Sequence, residues 1–227
     1  MNRLATLTLL MTLAAAPLAA QDRLPPPFPR TNATPLLAND RINVWDIVWP
    51  KGQPTALHRH VYDQVGTYYA RGGRVITTPD GEARRNVTEV GSLSTTRKGT
   101  THIEEGNTDP PLRAVFIELK QAGPSGRPPG QVGPAVFPRP GATQMLDDER
   151  VTAWDVAQWN AGADGFAFRA ARETVIVFLG DGTLRIGGAA GSSLQVKAGT
   201  MRHVDAGSSE SLAMAEGHPR AIFFELK

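Results

Sequence analysis

The chain contains no cysteine. Its fold must therefore be held by buried apolar side chains, with no disulfide to help. It also has no run of one charge sign, because 24 Lys and Arg are interspersed with 22 Asp and Glu. That excludes the basic stripe of a nucleic-acid binder and the acidic tract of a solvating tail. Beyond residue 20 no apolar run approaches the roughly 20 residues that a membrane-spanning helix needs. Nor does any later stretch sustain a 3.6-residue hydrophobic period over three turns, which excludes a helical architecture. Histidine is scarce, with five in the chain.

What is present begins with a leader. "MNRLATLTLLMTLAAAPLAA" has one arginine, then an apolar run from Leu4 to Ala16, then the small residues Ala19 and Ala20. This is the layout of a secretory signal peptide. Thr6, Thr8, Thr12 and Pro17 interrupt the run, which argues against a membrane anchor. Without a cysteine near that point, a lipid-modified cysteine anchor is excluded as well. The expectation is cleavage near Ala20, a mature chain of about 207 residues, and a secreted or periplasmic location with no membrane association after cleavage.

The mature chain repeats itself. "DRINVWDIVW" (Asp40 to Trp49) is matched by "ERVTAWDVAQW" (Glu149 to Trp159), and "RAVFIELK" (Arg113 to Lys120) by "RAIFFELK" (Arg220 to Lys227). Two halves that begin and end alike imply a duplicated domain. The expected organisation is a proline-rich N-terminal arm over 21–38, a first domain over 39–120, a linker over 121–146 and a second domain over 147–227. The stretch from Gln121 to Met145 holds six prolines and five glycines, too many for a helix or a central strand. Phe28, Leu36 and Leu37 suggest that the N-terminal arm docks on the first domain. Within each half, short runs rich in Val, Ile, Thr, Phe and Tyr are cut by Gly, Pro and Asp turns, so each half should be a small antiparallel barrel or sandwich.

The candidate chemistry lies in "LHRHVYDQ", Leu57 to Gln64. On a strand, His58 and His60 project to the same side. Facing inward, two imidazoles form a costly buried pair unless they bind something, and a divalent metal is the common solution. A third histidine, His102, stands in "GSLSTTRKGTTHIEEGN". Asp63 is a rival ligand, but parity turns it away from His60.

The spacings G-x5-H-x-H-x3-Q-x7-G from Gly52 and G-x5-R-x-G-x2-H-x4-N from Gly91 resemble the two motifs of the cupin superfamily. The common forms of these are G-x5-H-x-H-x(3,4)-E-x6-G and G-x5-P-x-G-x2-H-x3-N. Gly52, His58, His60, Gly91, Gly99, His102 and Asn107 match. Gln64 replaces the glutamate, Arg97 replaces the proline, and one extra residue precedes each of Gly72 and Asn107. The resemblance covers Asp40 to Lys120 and, through the repeat, the second half. It implies an all-β chain of two tandem cupin-type antiparallel barrels (jelly-roll sandwiches) of six to eight strands each. It also implies one divalent transition metal on His58, His60, Gln64 and His102, with Mn, Fe, Ni, Co and Zn all compatible.

The second half departs further. Aligning Glu173 with Gln64 and Arg202 with His102 leaves Ala167 and Arg169, or Phe168 and Ala170, at the histidine positions. This half should have lost its metal, with Arg169, Glu173 and Arg202 meeting where the ion once sat. They would form a buried ion cluster or an anion pocket.

A neutral glutamine cancels no metal charge, so the site should be the stronger Lewis acid. That favours a non-redox enzyme of isomerase, lyase or cyclase type on a small anionic or carbohydrate-derived substrate. The rivals are a non-catalytic small-molecule-binding cupin and an Fe-dependent dioxygenase. By alternation Glu104 and Tyr68 share the interior. Glu104 is either a proton-transfer group or a rim residue paired with Arg or Lys, and Tyr68 either a catalytic group or a core aromatic. A homodimer through sheet edges and internal pairing of the two barrels are both open.

Overall fold

The structure, a computed structural model, describes residues 24–120, 136–157, 166–187, 191–217 and 220–227. The expected leader and most of the expected linker lie outside them. The first half has nine strands: β1 (Ala33–Ala38), β2 (Ile42–Trp49), β3 (His58–Arg59), β4 (Asp63–Ala70), β5 (Gly72–Thr77), β6 (Ala83–Thr88), β7 (Leu93–Thr96), β8 (Thr101–Gly106) and β9 (Leu112–Leu119). Among its described residues the second half also has nine: β10 (Ala142–Asp147), β11 (Val151–Val156), β12 (Phe166–Arg169), β13 (Thr174–Phe178), β14 (Gly182–Ile186), β15 (Ser192–Val196), β16 (Met201–Val204), β17 (Ser209–Gly217) and β18 (Ala221–Leu226).

Each half is a sandwich of a five-stranded and a four-stranded antiparallel sheet. The orders are β1-β2-β9-β4-β7 and β3-β8-β5-β6 in the first half, and β10-β11-β18-β13-β16 and β12-β17-β14-β15 in the second. The two halves match strand for strand, so the repeat seen in the sequence is a repeat of topology.

The repeat is longer than the sequence comparison suggests. Strand β1 was expected within an arm, and most of β10 within a linker. Both pair with the strand that follows, Ala33 opposite Ile47 and Ala142 opposite Val156. The proline density does not forbid this, because each is an edge strand: β10 begins after its prolines, and β1 carries Pro35 opposite Trp45, next to a register shift. Phe28 stacks on Trp45 with centroids 4.8 Å apart, and Phe137 on Trp154 at 4.9 Å. These two extra strands also raise each barrel above the expected six to eight strands. Of the arm residues expected to dock, Phe28 is buried and Leu37 packs on the core, whereas Leu36 is exposed.

Strand alternation divides the apolar residues into three cores. Ile47, Trp49, Tyr68, Ala114 and Phe116 turn into the first barrel. Phe166, Phe168, Ile176, Phe178, Leu184, Leu212 and Phe223 fill the second. The third core lies between the halves. Ile42, Val44, Val65, Val115 and Ile117 of one five-stranded sheet pack on Val151, Val175, Val177, Ile222 and Phe224 of the other. The barrels thus pair internally, face to face.

Two reciprocal ion pairs flank this contact. Arg41 Nη1 lies 3.0 Å from Glu173 Oε2, and Arg150 Nη1 lies 3.0 Å from Asp63 Oδ2. Each arginine also donates to a backbone carbonyl, Arg41 to Lys227 and Arg150 to Leu119. Glu173 additionally receives Asn39 Nδ2 and lies 2.8 Å from His203 Nε2.

The hydrogen bond to Glu173 raises His203 above its usual 6.5, against burial and with help from Asp205. Burial would raise Glu173, but His203, Asn39 and Arg41 outweigh it and hold the group below its usual 4.5. The contribution of His203 is therefore full below pH 6.5 and lost as pH rises through its raised value. That of Glu173 is full above pH 4.5 and lost as pH falls through its lowered value. Thermal stability is expected to decline above pH 6.5 in the wild type, and this part of the decline should be absent in Glu173→Gln. Melting curves between pH 5 and 8.5 check it.

Candidate metal centre

Three strands and one turn build the centre. His58 on β3 faces His102 on β8 across the ladder. Past the end of β3, His60 N donates to Thr100 O at 2.9 Å, and Gly99 N donates back to His60 O at 2.7 Å. Gly99 has φ of 89°, so the turn that returns the chain from His60 to His102 requires a residue without a side chain. All three imidazoles are buried, and each offers a ring nitrogen within 4.8 Å of the others.

One nitrogen from each ring comes to a common place. His58 Nδ1 donates to Ala56 O at 3.0 Å, which leaves Nε2 as the acceptor nitrogen. That Nε2 is buried with no hydrogen-bond partner. His60 Nε2 and His102 Nε2 are 3.3 Å apart. Two nitrogens each about 2.1 Å from one ion, at about 90–109°, would stand roughly 3.0–3.4 Å apart, so the pair fits a shared divalent metal. Burial lowers all three imidazoles, His60 to about 3 and His102 to about 4. They are neutral at physiological pH, as ligands must be.

Gln64 on β4 is buried. Its neighbour Val65 joins the core between the halves, so alternation turns Gln64 into the barrel. Its Nε2 is buried without a partner. Asp63 faces the other way, as parity requires, and takes Lys98 N and Arg150.

Glu104 is buried, but it is not at the rim and not free. Arg30 Nη2 donates to it at 3.1 Å, Trp49 Nε1 at 3.0 Å, and Arg74 Nη1 in a close ion pair. Burial would raise its pKa, but the Arg74 and Arg30 charges outweigh this and hold it at about 2. Its Oε1 is 3.9 Å from His102 Nε2. Arg74 Nη2 donates to Tyr68 Oη at 2.6 Å, and burial raises the Tyr68 phenol. The Trp49 ring lies under both guanidinia, 5.7 Å from Arg30 and 5.0 Å from Arg74. The sequence reasoning missed Arg30, Arg74 and Trp49. Arg74 left one signal, a charged residue in the apolar run "GGRVIT". Arg30 left none, since only the fold brings the N-terminal segment to the barrel mouth.

Solved structures share this architecture, and one of them is described by its fold. A cupin 2 conserved barrel domain protein from Leptotrichia buccalis is 12% identical over 86% of this chain and 88% of that one, with a TM-score of 0.55. The fold is a cupin fold, present twice. Protein Ylba from E. coli aligns over 91% of this chain and 88% of that one at 12% identity and a TM-score of 0.61. A salicylate 1,2-dioxygenase from Pseudaminobacter salicylatoxidans aligns over 85% and 76%, at 14% identity and a TM-score of 0.52. No family model and no curated protein matches the chain.

Within this bicupin the first half serves as a template for the second. Gly199 N donates to Phe178 O as Gly91 N does to Tyr68 O, both at 2.8 Å. Gly207 N donates to Ala170 O as Gly99 N does to His60 O. Phe168 pairs with Glu210 as His58 does with His102, and Thr174 with Glu225 as Gln64 does with Glu118. The ligand positions are therefore Phe168, Ala170, Thr174 and Glu210. Leu184, Leu212 and Phe178 replace Arg74, Glu104 and Tyr68.

The expected cluster of Arg169, Glu173 and Arg202 does not form. Arg169 is exposed and donates to Gly207 O. Glu173 matches Asp63 and serves the contact between the halves. Arg202 pairs with Glu210 at 2.7 Å. The misalignment arose because "GTMR" after Ala198 imitates "GTTH" after Lys98, while Gly199 occupies the turn of Gly91.

Proposed function

We propose that the first cupin holds one divalent first-row transition ion on His58, His60 and His102, with Gln64 as the fourth protein ligand. The reading is carried by three buried, neutral imidazoles converging with an orphaned Nε2. Bound there, the ion would supply Lewis-acid polarisation of a substrate oxygen, undiminished by any carboxylate ligand. The chain then acts as a metal-dependent enzyme of isomerase, lyase or cyclase type on a small anionic substrate. The charge supports the anion, because two guanidinia beside the histidines share one carboxylate.

The residues divide the remaining work. Glu104, held ionised by two arginines, fixes their guanidinia beside the site and is a poor proton acceptor. Tyr68, with Arg74 donating to its oxygen and its phenol raised by burial, keeps its proton and is the donor of the pair. The leader makes this an exported enzyme, and the mass of secreted protein should show cleavage near Ala20.

Purified protein is expected to carry about one equivalent of transition metal per chain by elemental analysis. His60→Ala should lose it and stay folded. Two equivalents, or none after loading with Mn, Fe, Co, Ni or Zn, would sink the assignment. Turnover under strict exclusion of O2 separates this chemistry from a dioxygenase.

A further inference from the structure

A cavity of about 290 Å³ opens beside His58. Pro25, Pro26, Pro27 and Pro29 line one side, and His58 and Trp49 also contribute. Among the described residues lining it, Arg30 alone carries a full charge. Prolines offer no N–H, so that side presents few donors other than the Arg30 guanidinium. Pro25 O accepts from Arg59 N at 3.0 Å, which ties this segment across β3, the strand that carries His58.

The setting of Arg30 differs from that of its counterpart. Arg139 lies over the Phe166 ring at 3.7 Å in the second half, where Leu212 stands in place of Glu104. Arg30 instead reaches Glu104 through Nη2, while its Nε is buried and unpartnered. The Phe-Pro-Arg segment thus places an arginine over each barrel, and in the first that arginine lines the cavity beside His58.

We infer that Arg30 is the residue that reads the substrate's carboxylate, and that the proline-rich segment from Leu24 to Asn32 is a wall of the binding site. The cavity is of a size that takes a small carboxylic acid. This rests on the metal reading above, since the acid's other end would lie against the His58 side.

Full-length mature protein loaded with Co(II) tests it, because the visible spectrum reports ligation independently of turnover. Lactate, pyruvate and benzoate are titrated against lactamide, pyruvamide and benzamide. At least one acid should bind more than about tenfold tighter than its amide. Arg30→Gln should keep the cobalt content and spectrum and lose about 10- to 100-fold in affinity for that acid, with amide binding unchanged. Arg30→Lys, which keeps the charge but not the fork, should fall between and carries the test if the glutamine variant misfolds. Equal acid affinity in variant and wild type, or no acid preferred over its amide, overturns the inference while the metal reading stands. Failure of the wild type to take up cobalt at the histidines overturns both.

Discussion

Arg74→Leu is expected to destabilise the protein by about 3 kcal/mol, the cost of stripping a buried carboxylate of its closest counter-charge. Arg30 and Trp49 still reach Glu104, which keeps the loss at the low end of that class. The triple variant Tyr68→Phe, Arg74→Leu, Glu104→Leu removes the stripped carboxylate and should recover part of that loss, the remainder being set by Arg30 and Trp49 Nε1, which lose their acceptor. The second half already holds Phe178, Leu184 and Leu212 at these places, all buried and tightly packed. Urea unfolding of the single and triple variants decides the matter. A triple variant as unstable as the single one would show that the ion network supports the barrel itself and not only its chemistry.

Gln64→Glu should act in opposite directions with and without metal. In the metal-free protein it adds a buried carboxylate where the amide nitrogen already lacks a partner, at a cost of roughly 1–3 kcal/mol. With metal bound it supplies an anionic ligand, and affinity should rise at least about tenfold in chelator competition. Turnover at pH 7 should fall, because the added charge weakens the Lewis acid. If both the metal-free stability and the metal affinity stay as in wild type, Gln64 does not meet the ion.

Much of this arrangement was legible in the residues because it follows local rules. The twin endings "RAVFIELK" and "RAIFFELK" announce a duplication, and the structure places both as the central strands β9 and β18. Two-residue alternation brings His58, Gln64 and Tyr68 to one interior. The illegible parts depend on tertiary placement. Arg30 is remote in sequence from Glu104 and joins it only because β1 pairs with β2 and draws the preceding segment over the barrel. Glu104 was rightly placed inside, but its partners fix its charge, and they could not be named from spacing. Arg202 was misplaced because "GTMR" at Gly199 reads like "GTTH" at Gly99, whereas Gly199 stands in the positive-φ turn that matches Gly91, so a short motif does not tell one turn from another.

The face-to-face contact of the two five-stranded sheets has a consequence for how the halves could diverge. Its two flanking ion pairs exchange roles when the halves are swapped, as the two sides of a symmetric dimer do. In a dimer of identical subunits, every change to one interior is imposed on the other. Joined in one chain, the copies are released from that constraint. The second barrel can trade its three histidines and glutamine for Phe168, Ala170, Glu210 and Thr174 while its outer face, held by Val151, Val175, Ile222 and Phe224, continues to shield the sheet that carries Gln64. One half keeps the reactive interior, and the other persists as its permanently attached complement.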